Sequence, residues 1–305
     1  MRETDLIKYF DRFTHIEIID KGFSSDLKFL AVCKSGKKYV LRTAELEKYE
    51  AKLKEFEILK EIEKRKIKSS IPIEFGKIEP LNSCYMLVEY IDGEEALEEL
   101  PKLSIHDQYQ IGYEAGLDLL KLHTIKAPSS PLSWYDAASA KHERYLKAYR
   151  ESGIHLEYGE KTNRFIHENL VFMKDRPRVL QHDDFHPANL IVRNGEYAGC
   201  IDFNRYDYGD PYHDFYKVAL FSREVSIPFS VGQINGYFKD EVPAEFWRLY
   251  ALYAAMSIFS AVVWTHRETP HLMDSMLKRL RLIADDHSAF DQIEPKWFNS
   301  FGGIL

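Results

Sequence analysis

Between Gln181 and Asp214 the chain reads QHDDFHPANLIVRNGEYAGCIDFNRYDYGDPYHD, and few folds accommodate such a segment. Residues 190–193 and 197–203 are short runs rich in β-branched and aromatic side chains, joined through Asn194-Gly195. That dipeptide tolerates the positive φ angles of a tight turn, so the pattern predicts a β-hairpin. Asp184 and Asn189 precede the hairpin, and Asp202 falls at the end of its second strand. The hairpin is expected to return Asp202 beside the loop that holds Asn189. Phosphoryl transfer from a nucleotide asks for such a set. One carboxylate orients the acceptor hydroxyl and takes its proton, while other oxygens hold Mg²⁺ against the phosphates. Asp184 suits the first task, and Asn189 and Asp202 the second. A lone D-x4-N pair is common in loops; the hairpin and the β-rich segment upstream give this one its weight.

The rest of the chain divides around that segment. Residues 15–19, 27–33, 38–42, 73–78 and 85–90 have strand character, separated by turn formers such as Lys21-Gly22 and Ser35-Gly36. Residues 44–66 form a Lys/Glu-laced helix pattern with Leu53, Phe56, Leu59 and Ile62 on one face. After Gly93 long helical patterns take over, at 104–123, 137–151, 161–173, 214–222, 231–238, 244–265 and 271–285. The expected architecture is α+β and two-lobed: a small β-rich lobe with one helix (1–92) and a larger helical lobe (93–305) that carries the hairpin.

Composition narrows the function classes. The net charge of −7 argues against nucleic acid as a partner, since phosphate-backbone binding needs a dense basic surface. The charge is uneven: residues 1–92 hold 18 Lys/Arg against 17 Asp/Glu, and residues 93–305 hold 23 against 31. Cys33, Cys84 and Cys200 are sparse and form no CxxC pair, which fits reduced thiols and a cytoplasmic location. No signal-peptide pattern opens the chain. The apolar run 251–264 is shorter than the ~20 residues of a membrane span and is expected to be a core helix, so no membrane partner is expected.

HDDFHPANLIV and CIDFNRYDYGDPYHD together resemble the catalytic region of the aminoglycoside phosphotransferase family, which is related to choline kinases and protein kinases. The likeness runs from the loop at Gly22 to the GDP-x-x-D segment. It implies a protein-kinase-like fold with the site in the cleft between the lobes, ATP or GTP as donor, and Mg²⁺. By the same resemblance Asp184 is the catalytic base, Asn189 and Asp202 bind Mg²⁺, His182 supports the loop, and His186 is architectural. Asp214 is expected to be a buried carboxylate that stiffens the loop backbone, and Asp210 a turn or cap residue.

Upstream, residues 20–31 correspond to the loop that covers the nucleotide phosphates, with Gly22, Ser24 and Ser25 as candidate contacts. Arg42 stands where a β3 lysine normally meets the α- and β-phosphates; its longer planar fork keeps the charge and changes the geometry. Its helical partner is expected to be Glu55, which fits the family's E-x3-L-x2-L spacing where Glu57 does not. The backbone from Glu89 to Ile91 corresponds to the hinge that meets the purine edge, with Val40 and Ile201 as candidate walls. One departure lies inside the motif. Asp183 replaces the usual Gly between His182 and Asp184, and its side chain is expected to point outward.

The acceptor is the least legible part. The acidic balance of 93–305 suits a cationic, hydroxylated, amine-bearing acceptor such as an aminoglycoside. The aromatic set Trp134, Tyr135, Tyr145, Tyr149, Trp247, Tyr250 and Trp264 suits a quaternary ammonium such as choline. A non-catalytic nucleotide-binding relative is a third expectation, disfavoured by the intact Asp184, Asn189 and Asp202.

Overall fold

The alternating N-terminal runs build one antiparallel sheet from β1 (Phe13–Ile18), β2 (Leu27–Cys33), β3 (Lys38–Glu45), β4 (Pro72–Ile78) and β5 (Ser83–Glu89), ordered β1-β2-β3-β5-β4. The computed structural model describes residues 3–21 and 26–301. Side chains alternate across a strand, so the cross-strand set Phe29, Leu41 and Leu87 shares one face. That face packs with Leu6 and Phe10 at helix α1 (Glu3–Tyr9), which the N-terminal sequence does not announce. The opposite face carries the sets Lys28, Arg42, Met86 and Leu30, Val40, Val88.

Helix α2 (Tyr49–Lys64) packs on β4 and β5, with Phe56 stacked on Phe75. It begins five residues later than the pattern 44–66 predicts. Thr43, Ala44 and Glu45 remain in β3, in register with Tyr85, Cys84 and Ser83. Sheet pairing there satisfies backbone groups that an early helix start would leave without partners.

Two compact units emerge: Met1–Gly93 with Ala198–Asn204, and Glu94–Tyr197 with Arg205–Leu305. The second contains, in chain order, β6 (Glu94–Glu95), α3 (Ala96–Glu99), α4 (Ile105–Leu122), α5 (Trp134–Glu151), α6 (Gly159–Asn169), β7 (Val179–Gln181) and β8 (Leu190–Arg193). β9 (Glu196–Cys200) begins in it and ends in the first unit, and the second resumes with β10 (Asp207–Gly209), α7 (Arg223–Val225), α8 (Ile227–Phe238), α9 (Ala244–Glu268), α10 (Met273–Asp286) and α11 (Lys296–Phe301). Ser104 caps α4 by accepting from the Asp107 amide, which satisfies one donor of its first turn.

The apolar run 251–264 lies within α9, whose most apolar window has a mean hydropathy of 1.4 and is 83% buried inside the protein. Helices α5, α6 and α10 pack around it, so it is the core of this unit. Helices α4 and α8 meet backbone to backbone. A Cβ added to Gly116 would lie 2.2 Å from the Gln233 carbonyl oxygen, and one on Gly236 2.0 Å from that of Tyr113. This closeness sets His123, at the end of α4, 2.9 Å from the Tyr237 hydroxyl on α8.

The expected hairpin is β8–β9, turning through Asn194 and Gly195 at φ +54° and +79°. Its second strand stops at Cys200, short of the expected Phe203. Gly199, at φ +151°, lets the backbone run against Lys68, whose carbonyl oxygen would lie 2.9 Å from a Cβ there. The Cys200 amide donates to that same oxygen at 2.9 Å. Beyond it Asp202 adopts φ +66°, which leaves strand geometry altogether. Residues 198–204 are thus anchored in the first unit, which is not contiguous in sequence.

Candidate active site

Strand β7 delivers the loop 182–189. Its three residues are buried and pair with β10, Gln181 opposite Asp207 and Val179 opposite Gly209. From Gln181 the chain enters His182, fully buried, whose ring meets Phe185 edge-on. The loop backbone is pinned by Asp214, which is fully buried. Its carboxylate accepts from the His182 amide at 2.9 Å, the Asp183 amide at 2.7 Å and the His123 ring Nε2 at 3.1 Å. Burial alone would raise the Asp214 pKa, but the His123 hydrogen bond and the His182 amide outweigh it and hold the carboxyl below its usual range. A carboxylate accepts only, so Nε2 of His123 carries the hydrogen. His123 is a site residue the sequence did not single out.

Asp184 sits in the middle of a set of donors. Its Oδ1 is 2.7 Å from the Lys217 ammonium and 3.2 Å from His186 Nε2, and its Oδ2 accepts from Asn189 Nδ2 at 3.1 Å. The same Asn189 nitrogen donates to the Asp184 carbonyl at 2.9 Å, while the Asn189 amide closes a short turn onto His186. Burial pushes the Asp184 pKa up. The His186 hydrogen bond and the Lys217 charge win, and the carboxyl stays far below the usual carboxylate range. His186 therefore touches Asp184 directly, beyond the architectural part expected of it. Lys217 is buried and carries no recognisable sequence signal.

Asp183 departs from expectation. Its backbone is left-handed at φ +57°, the conformation glycine adopts most readily, and its side chain points inward, 17% exposed. Its Oδ1 lies 3.5 Å from His213 Nδ1 and 3.4 Å from the Tyr216 hydroxyl. Two backbone amides held by Asp214 fix the turn, and the left-handed φ swings the carboxyl into the unit. Burial raises its pKa to about 6 and lowers that of His213 to about 3. Asp210 is more than a cap. It accepts from the Tyr212 amide, and it also forms a bidentate pair with Arg176 at 2.9 and 3.0 Å and accepts from the Tyr253 hydroxyl.

In the first unit Arg42 meets Glu55 at 2.5 Å, as the spacing chose, while Glu57 is exposed and pairs with Lys60. Two further residues join them. Asp26 lies 2.7 Å from Arg42 and 2.5 Å from Lys52, and Lys52 lies 3.0 Å from Glu55. Arg42, Glu55 and Asp26 are all buried. Asp202 is 2.7 Å from the Lys28 ammonium. The Glu89 amide is taken by the Ile71 carbonyl at 2.8 Å, and its side chain pairs with Lys37. Gly22, Ser24 and Ser25 lie outside the described residues.

Among the described residues no cluster of three or more His, Cys, Asp or Glu forms a metal cage. Mg²⁺ needs none, because it is held by one or two carboxylates, phosphate oxygens and water. Asn189, with its nitrogen committed to Asp184, presents its amide oxygen, and Asp202 supplies a carboxylate. Each is an oxygen donor of the kind Mg²⁺ takes. Of the aromatic residues considered for a cage, Trp134, Trp247 and Tyr250 are buried, and the Trp134 indole N–H donates to the Tyr253 hydroxyl at 2.8 Å.

An antiparallel sheet with two packed helices, a helical unit, and a hairpin preceded by a pinned carboxylate loop define a phosphotransferase of protein-kinase-like fold. The chain belongs to the phosphotransferase enzyme family known as APH, whose model matches residues 15–250. No curated protein sequence matches it significantly. Solved structures with a similar fold include the gentamicin complex of APH(2'')-IIa, at 18% identity and TM-score 0.64, covering 92% of this chain and 96% of that one. The GDP complex of aminoglycoside 2'-phosphotransferase-IIIa is similar at 13% identity and TM-score 0.71, covering 93% and 97%. A thermostable APH(4)-Ia variant bound to ADP and hygromycin B follows at 14% and 0.65, covering 93% and 97%.

Proposed function

We propose that this protein is a cytoplasmic small-molecule kinase that moves the γ-phosphoryl group of ATP or GTP to a hydroxyl of an amine-bearing acceptor such as an aminoglycoside. The observation that carries it is Asp184, an ionised carboxylate gripped by Lys217, His186 and Asn189. In this reading Asp184 accepts a hydrogen bond from the acceptor hydroxyl and fixes its line of attack. Its depressed pKa makes it a weak base, which suits a loose transition state in which the proton leaves late and orientation matters most. Asn189 and Asp202 are the residues that would hold Mg²⁺, which supplies charge neutralisation at the phosphates. Asp214 acts one step back, holding the His182 and Asp183 amides so that Asp184 keeps its place. The acidic balance of 93–305 supports a cationic acceptor. The burial of Trp134, Trp247 and Tyr250 weakens the choline alternative.

The test is release of nucleoside diphosphate from Mg·ATP and Mg·GTP with aminoglycosides, macrolides, choline and sugars, in wild type and Asp184→Asn. Turnover in the variant should drop about 10²–10⁴-fold when measured below its melting transition. Equal turnover in both proteins sinks Asp184 as the base. Robust choline turnover with none on any aminoglycoside moves the acceptor to a quaternary amine.

A further inference from the structure

The sheet of the first unit sets two cations side by side. Lys28 on β2 and Arg42 on β3 are direct cross-strand partners, so both project from the same face. Their surroundings differ. The two terminal nitrogens of Arg42 meet Glu55 and Asp26, and its Nε is buried without a hydrogen-bond partner among the described residues. With Lys52 on the same two carboxylates, two cations are matched by two anions, and Arg42 also feels the charge of Asp202. A guanidinium neutralised in this way has little charge left for an incoming anion, and pulling it out would strand buried carboxylates.

Lys28 is placed otherwise. Its ion-pair partner among the described residues is Asp202 alone, and its side chain is 16% exposed against 9% for Arg42. It stands three residues after Ser25, at the start of the strand that leaves the segment expected to cover the phosphates. We infer that Lys28 is the phosphate-binding cation of this chain and that Arg42 is a brace between β3 and α2. An ammonium is a compact point charge on a flexible stem, and it can turn from a carboxylate to a phosphate oxygen without breaking a two-point fork. Arginine on β3 is then no loss of the usual lysine, because a lysine faces it across the ladder. The inference rests on the nucleotide-dependent reading above.

Titration calorimetry of the full-length protein with ATP, in EDTA and in Mg²⁺, tests it alongside thermal melts of the same variants. Lys28→Met and Lys28→Gln should each weaken ATP binding about tenfold or more under both conditions, with little change in melting temperature, and Lys28→Arg should recover part of the affinity. Arg42→Lys should melt earlier, yet below its transition bind ATP within about threefold of wild type. Wild-type affinity in both Lys28 variants overturns the assignment. So does an Arg42→Lys protein that melts normally but binds tenfold more weakly. If Lys28 only neutralises Asp202, its removal leaves affinity in EDTA intact and strengthens the Mg²⁺ dependence, which also overturns it. A wild type that binds neither ATP nor GTP fails the kinase reading itself, before any variant is made.

Discussion

The first unit sets two cations against two anions, Arg42 and Lys52 with Asp26 and Glu55, whereas in the second three acids lie together, Asp214 holding the Asp183 amide, and Asp184 alone of them meets the Lys217 ammonium. Balanced charge in a sheet–helix joint is cohesive: every member has an opposite partner, and Asp26 and Arg42 are driven further into their charged forms. The unbalanced set relies on dipoles instead. Asp214 is stabilised largely by backbone amides and a histidine, and neighbouring carboxylates are pushed apart, Asp184 far down and Asp183 up to about 6. Adjacent acids of one type with opposed pKa values mark a site built for chemistry, and a neutral cluster marks a brace.

That contrast can be broken in order of size. The widest separation is between Asp184→Asn, expected to lose turnover even in the folded protein, with some stability lost because Lys217 loses its carboxylate, and Glu55→Ala, expected to lose chiefly stability. Removing Glu55 leaves buried Arg42 and Lys52 short of a partner, and breaking a buried pair costs about 3–5 kcal/mol. Urea unfolding of the two variants reads this directly; a Glu55→Ala protein as stable as wild type would show that the cluster is not a brace.

Next comes Asp183. Its folded pKa of about 6 lies above the 3.8 of the unfolded chain. Between those values the folded state binds a proton that the unfolded state lacks. This contribution to stability is present at low pH and is lost as pH rises through 6, reaching about 3 kcal/mol for the charged group. Asp183→Asn should therefore be more stable than wild type at pH 8, with the gap closing by pH 4. A gap that does not change with pH would mean the carboxyl has the same pKa in the folded and unfolded protein. Comparing the two proteins at each pH removes the opposing trends of Asp184, Asp214 and His213.

The smallest effect is expected at Gly116. An added methyl collides with the Gln233 backbone and should cost about 1–3 kcal/mol by forcing α4 and α8 apart. Because that joint places His123 under Asp214, Gly116→Ala should also lower turnover in the protein that remains folded. Loss of stability with unchanged kcat would separate the helix joint from the loop it supports.

Local chemistry made much of this molecule legible in its sequence. Period-two runs gave the strands of the sheet, Asn194-Gly195 gave the hairpin, and the spacing in α2 selected Glu55 over Glu57 as the partner of Arg42. The loop carrying Asp184 and Asn189 was readable for the same reason: neighbouring residues in a short turn stay neighbours in space. Contacts that join distant elements were not readable. His123 reaches Asp214 across 91 residues because glycines let α4 and α8 touch, and Lys28 reaches Asp202 across 174 because Gly199 and Cys200 fasten the chain to Lys68. Lys217 on Asp184, Asp26 and Lys52 around Arg42, and the inward turn of Asp183 belong with them. Periodicity and turn chemistry act over a few residues, whereas charge pairing and close packing act through space, and only the tertiary structure decides which charges meet.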